Sequence, residues 1–221
     1  MTSHANIAYG LRKTRDKYPY KRAIVYPGGR DKKKRVLYSQ ITFSQLDIQS
    51  DRLAFGLEKA GIIRGTRTIV MVTPGHEFFI LIFAMLKVGA IPVVVDPGMG
   101  IDRMLQCLKQ GKARAFIGIE KAHLLRKLKP GFFKSVKHWV TVGKKWFWDG
   151  YTLDELMIQT DEPYPIAQTI IDETAVIAFT TGSTGPAKGV IYTHGNFNAQ
   201  IQQIQEHFQI EPDEIDLPTF P

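Results

Sequence analysis

A chain of 221 residues with 44% hydrophobic and 23% charged side chains is long and apolar enough to bury a full core and has the composition of a globular protein. Its net charge of +8 admits nucleic acid, a membrane surface or a small polyanion as partner. The single cysteine, Cys107, excludes an intrachain disulfide and fits a reducing, cytoplasmic compartment.

The first residues carry neither the basic nor the apolar region of a signal peptide. Residues 5–18 are expected to form a helix with Ile7 and Leu11 on one face. Ala23–Tyr26 and Val36–Tyr38 read as two strands around the basic turn Arg30-Asp-Lys-Lys-Lys-Arg35. No aromatic residue interleaves with that run, so a solvated turn is favoured over a nucleic-acid platform. Thr42 and Gln45 form a capping box that opens a helix, with Phe43, Leu46, Leu53, Leu57 and Ala60 on its apolar face. Gly61 is expected to stop it.

From there strands and helices alternate. Strands are expected at 69–72, 91–95, 115–119 and 139–142, and helices at 76–88, 101–110 and 120–128. The longest apolar run, Phe78 to Leu86, is broken by Lys87 and Gly89 and is too short to span a bilayer, so no transmembrane segment is expected. Cys107 lies among Leu105 and Leu108 and reads as a buried apolar residue. Continuous apolar strands alternating with helices imply an α/β fold, a mostly parallel sheet flanked by helices on both faces. Residues 143–173 break the rhythm and read as an irregular connecting segment, with at most one helical turn at 152–158. A last helix is expected to begin near Asn196, with Phe197, Ile201, Ile204 and Phe208 as its apolar stripe.

The most informative stretch lies between the strands 175–179 and 190–192. It contains Thr180, Thr181, Gly182, Ser183, Thr184, Gly185, Pro186, Ala187, Lys188 and Gly189. Glycines let the backbone approach a ligand and turn its N–H groups into an anion-binding concavity. Four hydroxyls add donors, and Lys188 adds a mobile cation. The rival is a Walker A loop, but Ala187 stands where its second glycine belongs and Gly189 where its metal-binding hydroxyl belongs. A Walker loop also opens a helix, whereas Val190-Ile191-Tyr192 favours a strand. An ordinary glycine-rich hairpin turn needs neither four hydroxyls nor a lysine. Ser183 lacks the setting of a hydrolase nucleophile. The histidines show no zinc-ligand spacing, and no metal ligand is assigned within the chain. His76 reads as structural, His194 as a loop residue helping to cap the last helix, and Asp96 as a turn-former.

Thr180 to Gly189 resembles the signature phosphate loop of the adenylate-forming (AMP-binding) superfamily, which includes acyl-CoA synthetases and fatty-acyl-AMP ligases. Thr42-Phe-Ser-Gln-Leu46, Pro74-Gly-His-Glu-Phe78, Leu86-Lys-Val-Gly-Ala-Ile-Pro92 and Val190-Ile-Tyr-Thr-His-Gly-Asn196 resemble further segments of that family. Val95-Asp-Pro-Gly-Met-Gly100 and Leu217-Pro-Thr-Phe-Pro221 are similar to the olefin β-lactone synthetase group within it. The resemblance implies the N-terminal part of the large domain of an adenylate-forming enzyme, spanning 1–221. It implies an ATP-dependent ligase that activates a fatty or β-hydroxy fatty acid as an acyl-adenylate, with Mg²⁺ alongside ATP. The acceptor would be coenzyme A or the substrate's own hydroxyl. Thr180, Thr181, Gly182, Ser183, Thr184, Gly185, Lys188 and Gly189 would bind the cofactor phosphates. The family's catalytic lysine and metal-binding glutamate match no position up to residue 221. The chain is therefore expected to be an N-terminal fragment, inactive alone and prone to self-association through uncovered sheet surfaces. A non-catalytic phosphate-binding or interaction module is the alternative, and no nucleic-acid partner is expected.

Overall fold

The computed structural model describes residues 5–180 and 188–217. In chain order the elements are α1 (Ala8–Lys17), β1 (Arg22–Arg30), β2 (Val36–Thr42), α2 (Phe43–Lys59), β3 (Arg67–Met71), α3 (His76–Val88), β4 (Ile91–Val95), α4 (Ile101–Gln110), β5 (Ala115–Ile119), α5 (Glu120–Leu128), β6 (His138–Val142), β7 (Tyr151–Thr152), β8 (Thr174–Thr180), β9 (Lys188–Thr193) and α6 (His194–Phe208). β1 and β2 form a separate antiparallel hairpin. The other strands form one sheet in the order β7-β6-β5-β3-β4-β8-β9, parallel throughout except for the antiparallel β8–β9 pair.

The strands are apolar on both faces because both faces are covered. Ile69 and Phe116 point into a core with Leu105 and Leu108 of α4. Their neighbours Val70 and Ile117 point into a second core with Leu53 and Leu57 of α2 and Leu81 and Met85 of α3. Helix ends follow the local signals. Thr42 and Gln45 close the capping box at the start of α2. The basic run 30–35 is the tip of the β1–β2 hairpin, where Asp31 accepts hydrogen bonds from the Lys33 and Arg35 N–H groups. Cys107 is buried beside Met99, and burial pushes its thiol up.

The segment 143–173 is irregular, as expected, but it is not loose. It contributes β7 and a single 3₁₀ turn at Asp154–Leu156, and it buries Trp148, Leu153, Leu156, Tyr164 and Ile166. The 3₁₀ turn crosses α2 at Gly56, where a Cβ would lie 1.9 Å from the Leu156 carbonyl oxygen. A glycine inside a helix costs about 1 kcal/mol relative to alanine. Here it is what lets the crossing segment close on the helix.

Lys87, in the last turn of α3, is fully buried. Its ammonium donates to Asp47 Oδ1 at 2.6 Å, Asp51 Oδ1 at 2.7 Å and the Asp47 carbonyl at 2.9 Å. Arg12 of α1 reaches Asp51 at 2.7 Å, and Arg15 reaches Asp47 at 3.4 Å. These charges tie α1, α2 and α3 together. Burial pushes the Lys87 pKa down and the Asp51 pKa up, and the salt bridges between them oppose both shifts.

The expectation for the last helix needs correction. α6 begins two residues earlier than expected, at His194, because Thr193 is its cap: the Thr193 hydroxyl accepts from the Asn196 N–H, and the Asn196 side chain accepts from the Thr193 N–H. Its apolar stripe is also largely uncovered. Phe197 is half-buried against Tyr192, but Ile201 is 56% exposed and Phe208 68% exposed. Helical periodicity marks an apolar face without guaranteeing that another element covers it. No helix among the described residues is long and apolar enough to cross a membrane.

Candidate functional site

The β8–β9 hairpin pairs Phe179 with Gly189 and Thr180 with Lys188. The glycine- and hydroxyl-rich stretch therefore leaves and re-enters the sheet on one rung. Thr181, Gly182, Ser183, Thr184 and Gly185 lie outside the described residues. Thr180 and Lys188 are exposed, and direct antiparallel partners sit about 5 Å apart at Cα with side chains on one face. A hydroxyl and an ammonium thus flank the mouth of the segment on the same side. Gly189 has a packing reason for its identity: a Cβ there would lie 3.1 Å from the ring of Phe179, which is buried.

The parallel strands bring the ends of β3, β4, β5 and β8 to one edge of the sheet, the edge at which open α/β sheets bind ligands. Val95 pairs with Phe179, so Asp96 follows β4 close to Thr180. The Asp96 carboxylate accepts from the Gly98 N–H at 2.7 Å and shapes the turn, as the sequence suggests. His76 opens α3 at this edge, edge-on to Tyr26 at 6.4 Å between ring centroids. His194 is elsewhere. β9 runs away from the loop for six residues, roughly 20 Å of extended chain, to the opposite edge of the sheet. There His194 is buried and its Nδ1 accepts from the Ile7 N–H. It therefore lies far from the loop, and the cap of α6 is Thr193.

With this hairpin on the carboxyl edge of a parallel sheet, the comparisons with known proteins become specific. The family model described as AMP-binding enzyme matches residues 11–221. The chain belongs to the AMP-binding enzyme family. It is 42% identical over 225 residues to an olefin beta-lactone synthetase of Xanthomonas campestris pv. campestris, covering 100% of this chain and 40% of that protein. A putative acyl-CoA synthetase of Bacillus subtilis, YngI, is 29% identical, covering 92% of this chain and 40% of that protein. Among solved structures, a putative long-chain-fatty-acid CoA ligase from Rhodopseudomonas palustris superposes with a TM-score of 0.78 at 19% identity over 98% of this chain and 51% of that one. At that identity the superposition speaks for the fold. The chain thus spans less than half the length of the curated relatives it matches over nearly its whole extent.

Within this AMP-binding fold, one buried group escaped the sequence reading. His123 of α5 is fully buried, stacked on Trp148 at 5.2 Å between centroids. Its Nε2 lies 2.9 Å from the Val140 carbonyl, which can only accept, so that nitrogen carries the proton. Trp148 Nε1 in turn donates to Thr141 Oγ1 at 2.9 Å. Burial lowers the His123 pKa to about 4. The unfolded chain, with a histidine near 6.5, then binds more protons than the folded one between those values. Stability is therefore complete above pH 6.5 and falls as the pH drops towards 4. The contribution of His123 is expected to be about 2 kcal/mol smaller at pH 5 than at pH 7.5. Urea unfolding at the two pH values should show this difference between the wild type and His123→Gln, which cannot titrate. Equal pH dependence in the two proteins would contradict it.

Proposed function

We propose that this chain belongs to an ATP-dependent ligase that joins the carboxylate of a fatty or β-hydroxy fatty acid to AMP, with release of pyrophosphate. The observation that carries this reading is the Thr180–Lys188 rung at the mouth of a glycine- and hydroxyl-rich segment on the carboxyl edge of the sheet. Family membership supports adenylate chemistry, and the 42% identity to an olefin beta-lactone synthetase supports the fatty-acid class.

In this reading the Lys188 ammonium and the hydroxyls of Thr180, Thr181, Ser183 and Thr184 hold the β- and γ-phosphates and stabilise the charge that grows on departing pyrophosphate. Gly182, Gly185 and Gly189 let the backbone close on them. The exposed Thr180 and Lys188 at the ends of the segment fit a polyanion. Mg²⁺ bound with ATP would neutralise phosphate charge. The acyl group would then pass from AMP either to the thiol of coenzyme A or to the substrate's own β-hydroxyl, which closes a four-membered lactone. The demand for ATP and the lone cysteine favour a cytoplasmic location.

Acid-dependent ATP–pyrophosphate exchange tests the reading, in a protein with the length its relatives have. Exchange is expected with long fatty and β-hydroxy fatty acids. Mass spectrometry of the products then distinguishes a β-lactone from an acyl-CoA. Absence of exchange with every acid of the panel would refute the proposal.

A further inference from the structure

We propose that the face formed by α5 and residues 143–150 is a docking surface for anionic lipid. Trp146 is 55% exposed, Phe147 70% and, on α5, Leu128 69%. Leu124, one helical turn before Leu128, is exposed on the same face. These side chains are not trailing on a loose loop. Both aromatic rings lean on Trp148, at 5.4 Å and 5.3 Å between centroids, and Trp148 is buried and held by His123 and Thr141. The Lys144 N–H donates to Glu120 Oε1 at 2.8 Å, fastening the segment to the start of α5. The fold thus holds large apolar side chains out in water on a fixed base, which marks an interaction surface.

Charge identifies the partner. α5 and residues 143–150 contain five Lys and Arg against two carboxylates, Glu120 and Asp149, a net +3, and Arg126 is the one cation of the five that is buried. Lys121, Lys127 and Lys144 are exposed, and among the described residues none forms a salt bridge, whereas Lys145 is held by Glu155 and the Gly150 carbonyl. Lysines around exposed Trp, Phe and Leu suit a bilayer interface. The ammonium groups meet anionic headgroups while the apolar side chains enter the headgroup–acyl boundary. Leu124 and Leu128 carry no π-face for a base to stack on but suit an acyl boundary as well as Trp146 and Phe147 do, which favours lipid over a single strand. The surface lies at the β6–β7 end of the sheet, remote from the β8–β9 hairpin, so occupation of one leaves the other open. The proposal does not depend on the ligase reading.

Co-sedimentation of the chain with extruded vesicles tests it. Binding is expected to phosphatidylcholine vesicles containing phosphatidylglycerol, to weaken with added salt, and to be much weaker to phosphatidylcholine alone. Trp146→Ser with Phe147→Ser, and separately Lys127→Glu with Lys144→Glu, should each lower the partition coefficient by about tenfold or more. All four side chains are exposed, so circular dichroism should stay at the wild-type signal, with a lower thermal midpoint only in the aromatic double variant, whose rings pack on Trp148. Wild-type partitioning by both double variants would overturn the proposal. So would absence of binding to either vesicle, or binding to a DNA oligonucleotide in its place.

Discussion

Lys87→Met is expected to destabilise the fold by about 3–5 kcal/mol, because it removes one partner of a buried ion pair and leaves the other in place. All three ammonium protons are used, on Asp47 Oδ1, Asp51 Oδ1 and the Asp47 carbonyl, in a side chain with no exposure. Methionine matches the volume and fills the space, so the loss is electrostatic rather than a cavity. Arg12 and Arg15 stay near the carboxylates, but both are partly exposed and neither reaches the position of the lost ammonium. The urea midpoint at neutral pH reads the change. Two further results would assign it to the charges. Asp51 keeps Arg12 at 2.7 Å, so the anion left without a close partner is the fully buried Asp47, and combining Lys87→Met with Asp47→Asn should recover part of the loss. The deficit should also shrink on acidification. An orphaned buried carboxyl has a raised folded-state pKa, so the folded variant binds more protons and gains stability as the pH falls. A Lys87→Met protein within about 1 kcal/mol of wild type would show that the cluster contributes no more than a surface pair.

That cluster also shows where the sequence stops being legible. A capping box or a strand–helix alternation is written in neighbouring residues, and the helices at 76–88, 101–110 and 120–128 appear where local pattern puts them. Lys87 reads locally as a cation near a helix C-terminus. Its partners lie 40 and 36 residues upstream, and only their i,i+4 spacing on α2, turned towards the core, hints at pairing. β7 is two residues long and carries no periodicity. It exists because Tyr151 and Thr152 pair with Val140 and Thr141. At the site, the order strand–loop–strand and the ends Thr180 and Lys188 follow from composition. That Gly189 also makes room for Phe179 depends on a ring across the hairpin, which composition does not show. Likewise the position of His194 was decided by the antiparallel direction of β9, a matter of topology rather than of the residues around it.

The phosphate-holding role proposed for Lys188, beside the packing of Gly189 on Phe179, leads to the second large expected effect. In a protein with the length of its relatives, Lys188→Ala should lower acid-dependent pyrophosphate exchange by about a hundredfold, the typical cost of losing one preorganised donor to transition-state charge. Its side chain is exposed and outside the core, so the change in stability should stay within about 0.5 kcal/mol. Lys188→Arg keeps the charge on a different geometry and should restore part of the rate. Gly189→Ala, one residue on, makes the opposite prediction. Its new Cβ crowds the Phe179 ring at 3.1 Å, so the first loss is about 1–3 kcal/mol of stability as the ring is displaced. The two adjacent substitutions therefore separate holding the ligand from building the hairpin. Measuring kcat/KM for ATP and the urea midpoint on both variants distinguishes them. If Lys188→Ala exchanged pyrophosphate at the wild-type rate while folding normally, the charge at the mouth of the segment would have no part in the chemistry, and the phosphates would have to be held by other groups.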